Sequence, residues 1–164
     1  MKYVVLTILI NYFGIAFGQV ESCKFDSTTV DFSCINNING KYKELDTLKK
    51  EAKIITAEGN YLYLKKWACI TKGTLARLVV MTEDIDVNNH FVLWKERILK
   101  LGEQLLEKTD YKIFSLYFMN PDLTAERYGK DLVFNIKQEK YQKFVLVISP
   151  QDNMVTVSLL YYEE

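Results

Sequence analysis

One apolar stripe at helical spacing, set between runs with the period of strands, constrains the fold of this chain more than any other feature. Phe91, Trp94, Ile98, Leu101 and Leu105 recur every three or four residues, and Val92, Leu99 and Leu106 widen the stripe. Lys95, Glu96, Lys100, Glu103, Glu107 and Lys108 fill much of the remaining surface. This spacing predicts an amphipathic helix over about 88–108, with Asn88 or Asn89 accepting from the open amides of its first turn. A membrane-surface helix would carry a more basic polar side than this mixed one, so the stripe is read as a core-packing face.

The flanking segments alternate with period two. Tyr61–Ile70 and Thr74–Met81 are rich in aromatic and branched residues and are joined through Thr71-Lys72-Gly73, which predicts a hairpin. Beyond the helix, Ile113–Met119 reads as a short aromatic strand, broken by Asn120-Pro121-Asp122 because proline lacks a ladder amide. Leu123–Lys130 reads as a loop or one helical turn. Leu132, Phe134 and Ile136 alternate with polar residues, and Phe144–Ile148 is apolar on both faces, as in a central strand. Pro150–Asn153 then turns the chain into a last strand, Met154–Tyr162.

Before the hairpin, Leu45, Leu48, Ala52 and Ile55 fall at spacings of three and four, which predicts a short helix over about 42–53. Residues 19–40 are weakly patterned, with a short strand expected around Ser27–Phe32 and a turn at Asn36–Gly40. The expected architecture is α+β: one antiparallel sheet with the long helix packed across one face, in a single domain over 41–164. Regular βαβ alternation is missing, which argues against a doubly wound parallel sheet. The order looks like a cystatin-like or related helix-on-sheet roll, a likeness of architecture that carries no function.

The N-terminus sets the compartment. Met1-Lys2-Tyr3 is followed by an almost unbroken apolar run, Val4–Phe17, and then by Ala16-Phe17-Gly18 as a small-x-small cleavage site. Residues 1–18 therefore read as a secretory signal peptide, and the mature chain is expected to be secreted or periplasmic without stable membrane insertion. The run is short for a bilayer span, which needs about 20 residues, and Asn11 interrupts it. The chain carries 21 basic and 21 acidic residues, so no net field draws it to nucleic acid.

Candidate chemistry is sparse. The three cysteines are Cys23, Cys34 and Cys69. Export favours a disulfide, and Cys23 with Cys34 could close a short polar loop; a Cys34–Cys69 bridge is the other option. Cys69, in a strand, reads as a buried apolar thiol before it reads as a nucleophile. His90 is the one histidine, so a Cys–His or Ser–His machine would have to use it. Glu83-Asp84-Ile85-Asp86 is a compact acidic run without the offsets of a calcium loop; its simpler role is to favour the following helix N-terminus. Cys-x-x-Cys and histidine-rich spacings are absent, so neither a metal nor a cofactor is expected. Lys65-Lys66-Trp67 mixes basic and aromatic residues, but in a neutral chain it reads as the wet face of a strand.

Two function classes follow. The first is a small exported, non-catalytic binding or inhibitory module whose partner is another protein or a small apolar ligand. Tyrosine offers wide contact with a polar tip, so Tyr61, Tyr63, Tyr161 and Tyr162 are its candidate contact residues. Tyr61 and Tyr63 would share one strand face, while Tyr161 and Tyr162 point oppositely. The alternative is a small exported hydrolase using the acidic run or Cys69 with His90, or a ligand carrier using the cleft between helix and sheet.

Overall fold

The computed structural model describes residues 30–69, 71–83, 86–87, 91–138 and 142–163. The expected signal peptide, Cys23, Asp84 and Asn88–His90 lie outside the described residues.

The period-two runs form one antiparallel sheet of eight strands. The first four are β1 (Gly40–Asp46), β2 (Glu51–Thr56), β3 (Tyr61–Ala68) and β4 (Lys72–Met81). The second four are β5 (Glu126–Tyr128), β6 (Asp131–Gln138), β7 (Gln142–Gln151) and β8 (Met154–Glu163). Each set is a meander, and the sheet order is β1-β2-β3-β4-β8-β7-β6-β5. The two meanders therefore join through their last strands. Register along this seam runs from Lys72 opposite Glu163 to Met81 opposite Met154. Among the described residues, two helices, α1 (Phe91–Leu105) and α2 (Lys108–Phe118), lie between β4 and β5. No helix among the described residues is long and apolar enough to cross a membrane.

The hairpins expected at Tyr61–Met81 and at the C-terminus are present as β3–β4 and β7–β8. Five other expectations are corrected. The segment 42–53 is not a helix: it holds β1, a turn and β2. Ala52, Ile54 and Thr56 are buried while Lys53 and Ile55 are exposed, so strand period overrides the spacing of Leu45 and Leu48. Leu48, part of that supposed helical face, is 94 % exposed at the tip of the turn. The turn is closed by Asp46, whose carboxylate accepts from the Lys49 amide at 3.0 Å, and Lys50 takes a left-handed φ of 56°.

The helix expected over about 88–108 is shorter in its described part. Glu107 is extended, with ψ 152°, and a second helix begins at Lys108. Gly102 permits that elbow, because a Cβ there would lie 2.8 Å from the Phe114 ring. Ile113–Met119 is accordingly helical; Phe114 and Phe118, four apart, share the buried face of α2. Glu126–Tyr128, in the segment expected to be loop or helical turn, pairs with β6 as a strand. Val30–Phe32, the described part of the strand expected around Ser27–Phe32, is not in a strand; a 3₁₀ turn follows at Ser33–Asn37. Phe32 and Ile38 flank that turn and enter the core.

One face of the sheet is buried by alternation. Ile54, Leu62, Leu64 and Ala76 lie on it in the first meander, and Phe134, Phe144, Leu146, Val157 and Leu159 in the second. They cluster with Trp94, Ile98, Leu101 and Leu105 of α1 and with Phe114 and Phe118 of α2. Burial of this size dominates the folding free energy, since each large apolar side chain contributes about 1.5–3 kcal/mol. The sheet edges are blunted: β1 exposes Lys41, Lys43 and Glu44, and β5 is three residues long.

Candidate ligand-binding cleft

The inward residues of the first meander leave space that those of the second do not. On β4, Lys72, Thr74, Ala76, Leu78 and Val80 alternate inward, opposite Ala68, Lys66, Leu64 and Leu62 of β3 for the first four. Small and polar side chains predominate where α1 passes over them, and two cavities result.

The larger cavity, about 540 Å³, lies between β3–β4 and the middle of α1. Leu62, Leu78, Val80, Ile38 and Leu101 make its apolar lining, and Asn39, Asn60, Thr56, Glu58, Arg97, Lys100 and Gln104 its polar rim. The volume and character suit a small ligand with an apolar body and a polar end. Thr56 holds one wall. It is buried, and its hydroxyl accepts from the Asn60 amide at 3.2 Å, closing the β2–β3 turn over Gly59 with φ 86°. The Thr56 side chain also hydrogen-bonds Glu58, and this bond chiefly holds the Glu58 carboxyl below its ordinary range; Lys100 adds to the effect. Arg97 lies over the Trp94 ring, with its guanidinium carbon 5.0 Å from the centroid.

The smaller cavity, about 330 Å³, shares Asn37 and Gln104 with the first and extends towards the α1–α2 elbow. Its polar groups are already engaged with one another. Lys72 Nζ lies 3.0 Å from Glu107 Oε1, and Lys66 Nζ donates to the Asp31 carbonyl at 2.6 Å. Asp110, in the first turn of α2, is pushed above the ordinary carboxylate range by burial, against a hydrogen bond with Tyr161 that favours its charged form. Burial likewise raises the Tyr161 phenol strongly. Gln142 Nε2 donates to the Tyr161 oxygen at 3.4 Å.

The expected tyrosine contacts do not form one surface. Tyr161 is buried and stacks on Phe144 with centroids 4.7 Å apart, so it belongs to the core. Tyr61, Tyr63 and Tyr162 face the opposite side of the sheet. Tyr162 pairs with Gly73, which in turn pairs with Trp67, whereas Tyr61 pairs with Val79 at the other end of β4. The Trp67 ring covers Gly73, where a Cβ would meet it at 2.2 Å, and Trp67 Nε1 donates to Thr71 Oγ1 at 3.0 Å. Lys65, Lys66 and Trp67 alternate across the sheet: Lys65 pairs with Glu51 at 3.1 Å, and Lys66 turns inward, so they make no common basic–aromatic patch.

The cysteine expectations are also revised. Cys69 is disulfide-bonded and Cys34 is a free, half-buried thiol. Neither the Cys23–Cys34 nor the Cys34–Cys69 bridge is present, and Cys69 has no thiolate to offer as a nucleophile. His90 and Asp84 lie outside the described residues, while Glu83 and Asp86 are exposed. Among the described residues, no group of three His, Cys, Asp or Glu side chains is placed to hold a metal ion.

Sequence reading missed Arg97, Lys100, Lys72 and Asp110 as cleft residues. A signal was there: Arg97, Lys100, Leu101 and Gln104 fall at helical spacing on one face, opposite strands whose inward positions include Ala76 and Thr74. In comparisons with known proteins, no family model matches the chain, and no curated protein or solved structure is significantly similar to it.

Proposed function

We propose that this protein is a non-catalytic binding module that carries a small, partly apolar ligand in the cleft between α1 and strands β3–β4. The 540 Å³ cavity, lined by both aliphatic and polar residues, carries this reading. We place its action outside the cytoplasm, as a secreted or periplasmic protein; the apolar run Val4–Phe17 and the disulfide at Cys69 support that placement.

The test is saturable binding of N-phenyl-1-naphthylamine, a neutral apolar dye that fluoresces out of water. The intact mature protein should enhance its emission. Leu78→Trp, which fills the larger cavity, should weaken dye binding by about tenfold or more, since that fold-change corresponds to about 1.4 kcal/mol. Circular dichroism of the variant controls for folding, and Val80→Phe provides a second obstruction. Dye emission that neither saturates nor responds to these variants would overturn the carrier reading.

A further inference from the structure

The rim of the larger cavity is electrically lopsided. Arg97 and Lys100, one turn apart on α1, stand at it together with a single carboxylate, Glu58. Among the described residues neither cation makes an ion pair within 4 Å, whereas the lysines of the smaller cavity are engaged, Lys72 by Glu107 and Lys66 by the Asp31 carbonyl. The Arg97 guanidinium carbon lies over the Trp94 ring, 5.0 Å from its centroid. A guanidinium so placed can still turn the edge of its fork to a planar anion and donate two parallel hydrogen bonds. Leu101, Leu78, Leu62 and Val80 supply aliphatic lining to the same cavity. The neutral amides of Asn39 and Asn60 complete the rim without cancelling its charge.

We infer that the ligand of this cleft is a single-chain anionic amphiphile, with its carboxylate or phosphate headgroup on Arg97 and Lys100 and its hydrocarbon chain on Leu62, Leu78, Val80 and Leu101. The inference rests on the carrier reading and adds the ligand's charge and polarity to it. Exposed cations lose strength in salt, so headgroup selectivity should diminish as ionic strength rises.

Titration calorimetry of the mature protein with decanoate, decanol and decylamine tests it, with decyl phosphate as a fourth ligand. Decanoate or decyl phosphate should bind about tenfold or more tightly than decanol, and decylamine most weakly of all. The tighter of the two anions identifies the headgroup. Arg97→Gln and Lys100→Gln should each weaken the anion about three- to tenfold and leave decanol unchanged, while Arg97→Lys should retain part of the affinity. Should Arg97→Gln disturb folding through the lost Trp94 contact, Lys100→Gln carries the test alone. Equal binding of decanoate, decyl phosphate and decanol, or an anion affinity indifferent to both glutamine variants, overturns the anionic ligand while dye binding keeps the carrier reading. Failure to bind any of the four has the same meaning if the dye still binds. Loss of the dye as well overturns both.

Discussion

The two halves of the sheet share a topology and differ in what fills them. Under the second meander the core is aromatic: Phe91 stacks on Phe134 at 5.4 Å, Phe114 on Phe118 at 5.4 Å, and Phe144 on Tyr161 at 4.7 Å. Under the first meander the inward side chains are aliphatic, small or charged, and the space beneath α1 is partly open. A meander therefore sets strand pairing without setting packing density; the identity of the inward residues decides that separately. Close-packed rings give a rigid half, and Ala76, Thr74 and Leu78 give a half able to admit another molecule.

Substitutions on the two sides should diverge, and the widest gap comes from truncating a ring. Phe114→Ala, at a fully buried site, should cost about 3–5 kcal/mol in denaturant unfolding. A loss under 1 kcal/mol would mean that the aromatic half is not the rigid one. The hollow half has a covalent tie at the end of β3 in place of rings. Cys69→Ser should cost about 2–4 kcal/mol, and a non-reducing peptide map should recover Cys69 joined to the peptide containing Cys23, the cysteine left over when Cys34 is free. Recovery of a disulfide-linked dimer would instead assign the tie to two copies of the chain.

Adding volume sharpens the contrast. Leu146→Trp, in the dense half, should destabilise by about 1–3 kcal/mol, whereas Leu78→Trp should stay within about 1 kcal/mol of the parent by equilibrium unfolding. Equal losses would show that the cavity cannot accept a side chain. The smallest effect lies at the boundary, where Asp110 from α2 meets Tyr161 from β8. Because burial raises the Asp110 carboxyl, the folded state holds a proton that the unfolded chain has released over the window just above the ordinary carboxylate pKa. Stability contributed by this group therefore falls as pH rises through that window. Asp110→Asn should flatten the fall, and unchanged pH dependence of the melting temperature would remove Asp110 as its source.

The dense half was the more legible in sequence. Leu132, Phe134 and Ile136, the Phe144–Ile148 run and the last strand announced themselves by period and bulk, because a packed interior imposes both. The first meander was legible only from β3 onward. In β1 and β2 the apolar residues lie partly on the solvent side, as with Leu45 at 43 % and Ile55 at 40 % exposure, so their spacing mimicked a helix. Ile113–Phe118 misled in the opposite way. Its aromatics suggested a strand, yet they pack as neighbours four apart on a helix. The cleft itself was hidden, since an empty space is specified by what small residues fail to fill and by which distant segments face them. Arg97 and Lys100 look like solvated helix residues until β3 and β4 are set opposite.

The seam between β4 and β8 has a consequence for how the molecule is made. Residue 72 must find residue 163, and the strand that completes the centre of the sheet is the last of the eight in chain order. Until it arrives, β4 and β7 each present a raw edge, and the first meander lacks the neighbour against which its final strand is built. Pairings so remote in sequence form slowly. The growing chain is thus held short of this sheet until β8 exists, and a truncation that removes β8 takes away the middle of the sheet rather than its margin.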